Sequence, residues 1–323
     1  MYYLLMFWEF NKNWHNFRFS INVLRDLSII VAGGILFSYG DLATAGGMLI
    51  SGTGFFSLFV LLHECSHQNG FRSKKWNNLT GHMIGALCLN PYTGFCLLHR
   101  KHHANLNHLQ KDPTWQPMME EKFKTLPTHQ QLSYLFTRIY GFWLSTWFYI
   151  LTRECSKKFH ENGRWGDVKL GIWICLILHV CIFVPIYCNF GLIYLVWYIG
   201  ALTVFHAIYS TITYLHHSSA VSDDLQTTIW HSQEKLPKIS ETTCDIPLPW
   251  IFEWLFHNIN RHIHHHQKPS LAFYDLEARN LSSNTDIIKM LKFTLNHCHL
   301  VTNQGKLVAY SYNKNKPSTM RLQ

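Results

Sequence analysis

Apolar residues are concentrated in two long stretches of the chain that contain no lysine or arginine. The stretches cover residues 26–71 and 170–234, and all 28 Lys and Arg residues lie outside them. Each stretch contains two apolar runs that are separated by a short polar or glycine-containing turn. Runs of about 20 residues match the ~30 Å hydrocarbon core of a bilayer. The pattern therefore predicts four transmembrane helices in two hairpins, at about residues 22–39, 42–62, 169–187 and 192–214.

The positions of the basic residues predict the orientation of these hairpins. Lys and Arg occupy the N-terminus, residues 72–169 and the chain after residue 234. By the positive-inside rule these segments face the cytosol, and the turns at residues 40–41 and 188–189 face the other side. We therefore expect a multi-pass membrane protein whose polar parts are mainly cytosolic.

Two further apolar stretches are not predicted to span. Residues 81–98 (GHMIGALCLNPYTGFCLL) are short and contain Asn90 and Pro91, which favours a re-entrant or surface-lying segment. Residues 132–151 are long enough to cross, but they carry Arg138 and a dense run of aromatic residues. That composition favours a helix at the depth of the lipid headgroups.

The composition agrees with a membrane protein. Of the 323 residues, 48% are apolar and only 15% are charged, which is few for a soluble enzyme. We expect one domain, residues 1–303, followed by a polar tail over residues 304–323. The net charge of +9 is then mainly a property of the cytosolic side, where it suits anionic headgroups or an acidic partner.

Histidines form three clusters outside the predicted spans. HRKHH and HIHHH carry histidines at positions i, i+3 and i+4, and HECSH carries them at i and i+4. On a helix these positions point to one side. Together the clusters supply eight candidate metal ligands: His63, His67, His99, His102, His103, His262, His265 and His266.

The segment HECSH has more than one interpretation. His-Glu-x-x-His is a zinc-protease signature, in which Glu64 would act as general base between His63 and His67. The same spacing also fits one corner of a larger metal site. A catalytic zinc needs only three protein ligands, whereas eight imidazoles are enough for two metals with positions left for oxygen and water. A metal carrier without catalytic activity is a third interpretation, and imidazole alone does not distinguish zinc, copper, iron and nickel.

The chain resembles the membrane fatty acid desaturases, and the similarity extends from Leu42 to about Glu277. HECSHQNGFRSKKWNNLTG resembles the first histidine box of the acyl-lipid delta-12 (omega-6) branch, HRKHHANLNHLQKDPTW its second and FHNINRHIHHH its third. ITYLHHSSAV resembles the stretch after the last span of that family. Three boxes with this spacing are specific to the superfamily.

The resemblance implies a non-haem di-iron centre on the cytosolic face as the catalytic group. The eight box histidines would be ligands, and His217, at the end of the fourth span, would be a further ligand. Glu64, His216 and His257 would lie behind the ligands and orient them or the bound oxygen. The implied fold is an all-α integral membrane protein with four transmembrane helices and a cytosolic helical cap that holds the histidine-rich di-metal site.

The boxes also constrain the topology. Ligands of one centre must lie on one side of the bilayer, so an even number of crossings must separate each pair of boxes. Residues 81–98 therefore cannot span. Residues 132–151 must lie on the surface, because the second hairpin already supplies two crossings.

The implied activity is the O2-dependent introduction of a cis double bond into the acyl chain of a lipid, at a delta-12 (omega-6)-like position. The sequence contains no nucleotide-binding glycine-rich loop, cysteine cluster or haem-binding module. We therefore expect no bound nucleotide and a separate electron donor, a cytochrome b5 or a ferredoxin. Membrane lipids are expected partners and nucleic acid is not. The location would be the endoplasmic reticulum membrane in a eukaryote or the inner membrane in a bacterium.

The same boxes serve other reactions within the superfamily. Fatty acyl hydroxylases and carotenoid or alkane oxygenases use them, so these activities stay alternatives to desaturation. An intramembrane zinc protease, built on HECSH alone, is the alternative from a different class. It would leave the histidines of the second box without a role.

Overall fold

The structure is a computed structural model that describes residues 2–114, 116–160, 163–218, 228–232, 234–235, 237–277, 287–297 and 300–308, with side chains in the first helix from Asn13 onward. The helices are α1 (Tyr2–Phe37), α2 (Asp41–Ser66), α3 (Lys74–Cys88), α4 (Tyr92–Ala104), α5 (Glu120–Thr125), α6 (Thr128–Ile139), α7 (Ser145–Tyr149), α8 (Trp165–Phe190), α9 (Ile193–His217), α10 (Ile239–Thr242), α11 (Trp250–Leu255), α12 (His262–Gln267) and α13 (Ile287–His297). The strands are β1 (Met118–Met119), β2 (Leu300–Val301) and β3 (Leu307–Val308). The predicted mainly helical architecture is confirmed.

The chain divides into two compact units. Unit 1 comprises Met1–His99, Ile150–Ile208 and Ser270–Tyr274. Unit 2 comprises Arg100–Tyr149, Tyr209–Pro269 and Asp275–Gln323. Unit 1 contains α1, α2, α3, α8 and most of α9, and unit 2 contains most of the shorter helices and the strands.

All four predicted transmembrane helices are present. Among the described residues, α2, α8, α9 and the Asn13–Phe37 part of α1 are long and apolar enough to cross a membrane. The helices are longer than the apolar runs, because helical hydrogen bonding continues into polar sequence. For example, α2 continues past residue 62 to Ser66, so His63 lies within the helix and His67 caps it.

Helices α1 and α2 pack closely as the first hairpin of unit 1. Gly40, in the turn between them, has a φ of 77°, which glycine adopts at little cost. A Cβ added to Gly47 would lie only 2.5 Å from the carbonyl oxygen of Gly33. Glycine at such an interface lets two helix backbones approach each other.

Helix α8 has one exposed apolar face within unit 1. The side chains on that face recur every three or four residues, so they form a stripe along the helix. An exposed stripe of this kind suits contact with lipid acyl chains. Its members are Leu170, Trp173, Ile177, Val180, Val184 and Tyr187.

Residues 81–98 do not span, as predicted. They form the second part of α3 and the first part of α4, and the break between these helices contains Asn90 and Pro91. The stretch packs inside unit 1 and does not lie on its surface. Its buried apolar residues are Ile84, Ala86, Cys88, Tyr92, Phe95, Cys96 and Leu98.

Residues 132–151 also do not span, but they do not form the single surface helix that we predicted. Helix α6 ends at Ile139, next to Gly141, and a 3-10 turn, α7 and a π-helix follow. Arg138, which we took as a sign of a surface position, is fully buried. Its guanidinium carbon lies 4.2 Å above the ring of Tyr214, so the aromatic face stabilises the charge inside unit 2.

The strands of unit 2 form a small sheet in the order β1-β2-β3. β1 pairs with β2 in parallel and β2 pairs with β3 in antiparallel. Val301 and Leu307 pack on Trp230. Because Leu307 and Val308 are buried in this sheet, the packed chain continues beyond residue 304, where we expected the tail to begin. Residues 309–323 of the predicted tail lie outside the described residues.

Candidate metal centre

Three histidines converge in unit 1. His63 lies in the last turn of α2, His67 caps that helix, and His99 lies on α4. The Nε2 atoms of His67 and His99 are 2.8 Å apart. The ring centroid of His63 lies 4.5 Å from that of His99 and 4.8 Å from that of His67. We call these three residues the unit 1 triad.

Glu64 lies behind this triad and is almost completely buried. One carboxylate oxygen accepts a hydrogen bond from the backbone N–H of Phe273, at 3.1 Å. The other oxygen lies 3.5 Å from Nδ1 of His63. Nearby, the side-chain amide of Asn69 donates to the carbonyl of Leu271. Glu64 therefore contacts both His63 and the segment that follows the third histidine cluster, and its carboxylate does not face solvent.

The substitution Glu64→Gln distinguishes a structural role of Glu64 from a role as general base. We expect the variant to keep its bound metal and to lose activity only severalfold, because the amide oxygen still accepts from Phe273 but no longer carries the charge beside His63. Metal per chain and turnover, measured on the same preparation, check this. Glu241→Gln, at an exposed position, is the matched control. A Glu64→Gln protein that has full metal content and no measurable activity would instead favour the general-base role.

Four histidines converge in unit 2. His102 comes from α4, His217 from the end of α9, and His262 and His266 from α12. The Nε2 atom of His262 lies 3.1 Å from that of His217 and 3.0 Å from that of His266. The ring of His102 lies 4.7 Å from that of His217 and 5.1 Å from that of His266. We call these residues the unit 2 quartet.

His103 and His265 form a separate pair in unit 2. Their Nε2 atoms are 3.2 Å apart. His265 is fully buried, and the ring of His103 also lies 4.3 Å from that of His266. The pair therefore adjoins the quartet.

These distances fit metal ligation. With metal–nitrogen bonds of about 2.0–2.1 Å, two ligands at a right angle to each other are about 3.0 Å apart. Nε2 separations of 2.8 Å in the triad and of 3.0 and 3.1 Å in the quartet match this value. Burial, followed by the neighbouring histidines, lowers the pKa of His262 and of His266 well below the usual range. Both imidazoles are therefore neutral near pH 7, the form that binds a metal.

Asp112 is part of the site, although the sequence analysis did not assign it a role. Both of its carboxylate oxygens lie 3.0 Å from Nδ1 of His102. A carboxylate that accepts from Nδ1 fixes the ring and directs Nε2 toward a metal. The backbone N–H of Asn107 and the backbone and hydroxyl of Thr114 also donate to Asp112. The signal available in the sequence is Asp112-Pro-Thr114, which is typical of an Asx turn.

His216, His257 and His264 lie outside the triad and the quartet. His216 stacks on His262, with ring centroids 3.8 Å apart, so it packs directly behind a quartet member. His257 is buried, but it belongs to neither group of converging imidazoles among the described residues. His264, the additional histidine of HIHHH, accepts a hydrogen bond at Nδ1 from the backbone of Glu277, at 2.8 Å, and so has a structural contact of its own.

Comparison of the chain with known proteins identifies a matching family. A family model described as fatty acid desaturase matches residues 42–280. The chain is 28% identical over 297 residues to an sn-1 acyl-lipid omega-3 desaturase (ferredoxin) of Nostoc sp. (strain 36), covering 83% of this chain and 77% of that protein. It is 27% identical over 297 residues to an sn-1 oleoyl-lipid 12-desaturase of Anabaena variabilis, covering 87% and 82%. An omega-3 fatty acid desaturase of the endoplasmic reticulum from Vigna radiata var. radiata is 26% identical over 290 residues, covering 80% and 74%.

Proposed function

Because this chain belongs to the fatty acid desaturase family, whose members are oxidoreductases, we propose that it introduces a cis double bond into the acyl chain of a membrane lipid. The proposed position is delta-12 (omega-6)-like, and the proposed catalytic group is a pair of irons. The observation that carries the proposal is the convergence of imidazoles in the unit 1 triad and in the unit 2 quartet, in a chain that the fatty acid desaturase family model matches.

We assign all nine predicted histidines as iron ligands. The unit 2 quartet is proposed to hold one iron. The unit 1 triad supplies three further proposed ligands, and the pair His103 and His265 in unit 2 supplies the remaining two.

The chain contributes geometry, burial and protonation state. Bound iron supplies the oxidising power that removal of hydrogen from an unactivated methylene requires and that no side chain offers. Asp112 fixes the ring of His102, and Glu64 lies against His63. His216 limits the movement of His262 by stacking on it. Burial lowers the pKa of His262 and of His266, so both of these imidazoles stay neutral near pH 7.

The balanced reaction requires an external reductant. Two hydrogens leave neighbouring carbons of the acyl chain, and dioxygen is reduced to two waters. Two of the four electrons come from the acyl chain, and two electrons, with two protons, come from the donor side. A ferredoxin-type donor is our proposal, because the name of the Nostoc relative includes ferredoxin. A cytochrome b5 is the alternative.

The proposed active site faces the cytosol. The four candidate membrane helices make this a membrane protein. All 28 Lys and Arg residues lie outside residues 26–71 and 170–234, and the positive-inside rule then assigns the segments with the histidine clusters to the cytosolic side.

Product analysis in a heterologous host tests the reaction. Expression in a host rich in oleoyl lipids is expected to give a new diene, measured by gas chromatography of the lipids. A host that expresses His262→Ala is the control for background products. A triene formed only from added dienoic acid would favour omega-3 desaturation. An oxygenated fatty acid as the main product would contradict desaturation and favour hydroxylation.

A further inference from the structure

A small cavity in unit 2 ends on two of the proposed iron ligands. Its volume is about 50 Å³, and it is partly open to the outside. The residues that line it come from α4, the segment after α4, the region of α10, and α12. They are His103, Leu106, Pro237, Ile239, Thr242 and His266.

The lining residues differ in burial, so the cavity has a buried end, its floor, and a partly exposed end, its mouth. Leu106, Thr242 and His266 are buried, with exposed fractions of 4%, 1% and 7%. Pro237 and Ile239 are partly exposed. The cavity therefore leads from the surface beside α10 inward to the ring of His266.

The polar atoms of Thr242, beside the cavity, are already engaged. The hydroxyl of Thr242 donates to the carbonyl of Ile239, and the carbonyl of Thr242 accepts from the side chain of Asn107. Nε2 of His103 and Nε2 of His266 are proposed to bind iron, so they are engaged in the iron-loaded protein. An ordered water needs about two to four polar partners. The walls thus favour a small apolar ligand over bound water.

The size of the cavity indicates which reactant it can admit. Sites for drug-sized ligands have volumes of about 300–1,000 Å³, so a cavity of about 50 Å³ does not take a fatty acyl chain. Dioxygen is apolar and diatomic, and small apolar cavities in proteins bind gases such as xenon. We propose that this cavity is the path by which dioxygen reaches the metal centre. This inference rests on the proposed function, because only an oxygen-consuming reaction needs such a path.

Ile239→Trp tests the path by filling its mouth with a larger side chain. Ile251→Trp, at an exposed position on α11, is the control for adding a tryptophan elsewhere in unit 2. With iron-loaded full-length protein, Ile239→Trp is expected to raise the KM for dioxygen severalfold, while the KM for the acyl lipid stays at the wild-type value. Iron content, measured on each preparation, separates a blocked path from a damaged centre.

A second measurement does not depend on turnover. Anomalous diffraction from crystals of the iron-loaded protein under xenon pressure is expected to show xenon between Leu106 and Ile239 in the wild type and in Ile251→Trp, and no xenon there in Ile239→Trp. Absence of xenon from the wild-type cavity would overturn the proposal, as would an unchanged KM for dioxygen in Ile239→Trp. If the wild type desaturates no lipid, the proposed function fails, and the xenon site alone decides whether the cavity admits an apolar gas.

Discussion

Replacing His262 with alanine is expected to abolish desaturation and to remove iron from the protein. Nε2 of His262 lies 3.1 Å from that of His217 and 3.0 Å from that of His266, so it is central to the unit 2 quartet. Loss of the ring removes one proposed ligand and opens a space next to the ring of His216, which stacks on it. Double-bond formation in a heterologous host and iron per purified chain are the two measurements.

His264→Asn is the matched control for this substitution. His264 lies in the same cluster and the same short helix and is equally buried, but its Nδ1 accepts a hydrogen bond from Glu277. An asparagine oxygen can accept that hydrogen bond. The control is expected to retain iron and activity. If His264→Asn loses iron as completely as His262→Ala does, the assignment of ligands within α12 is wrong.

Asp112→Asn is expected to have the second largest effect. The carboxylate lies 3.0 Å from Nδ1 of His102 and is buried, so it both orients the ring and raises the basicity of Nε2. The amide that replaces it is neutral, and its nitrogen cannot accept the hydrogen bonds that an oxygen of Asp112 accepts from Asn107 or Thr114. Losses of about 10–100-fold in metal affinity or activity are typical when such a partner is removed. Iron affinity, measured by competition with a chelator, checks this.

Thr114→Ala is the control for Asp112→Asn. It removes the hydroxyl that donates to Asp112, at 2.8 Å, and leaves the carboxylate beside His102. Both substitutions are expected to lower the melting temperature, because both loosen the same turn. Only Asp112→Asn is expected to weaken iron binding. Equal iron affinities in the two variants would show that Asp112 acts only through the turn.

The sequence predicts the membrane helices well, because charge and hydropathy are local properties. The absence of Lys and Arg from residues 26–71 and 170–234 predicts four spans, and the described residues contain four candidate spans. It does not predict where the helices end, because hydropathy falls before helical hydrogen bonding stops. Helix α2 accordingly reaches Ser66 and includes His63.

Arg138 shows where a local rule fails. An arginine in an apolar stretch indicates an interfacial position when its surroundings are unknown. In the structure the ring of Tyr214, which is 76 positions away in the sequence, covers its guanidinium. A contact between distant residues of this kind leaves no periodic signal in a single sequence.

In the candidate site, too, the sequence predicts local features but not the contacts between distant residues. The spacing identifies histidines from all three clusters that converge, but it does not predict how they are grouped. His99 of HRKHH lies in the triad, His102 lies in the quartet, and His103 pairs with His265. The carboxylates that support them depend on folding. Asp112 reaches His102 through a turn, and Glu64 accepts from Phe273, a residue 209 positions away. Neither contact follows a helical or strand period.

The most direct test of the account is the metal content of the purified wild-type protein, together with its Mössbauer spectrum. The account predicts about two irons per chain, in a coupled pair with mainly nitrogen ligands, as the nine proposed histidine ligands would provide. About one zinc per chain and no iron would contradict it.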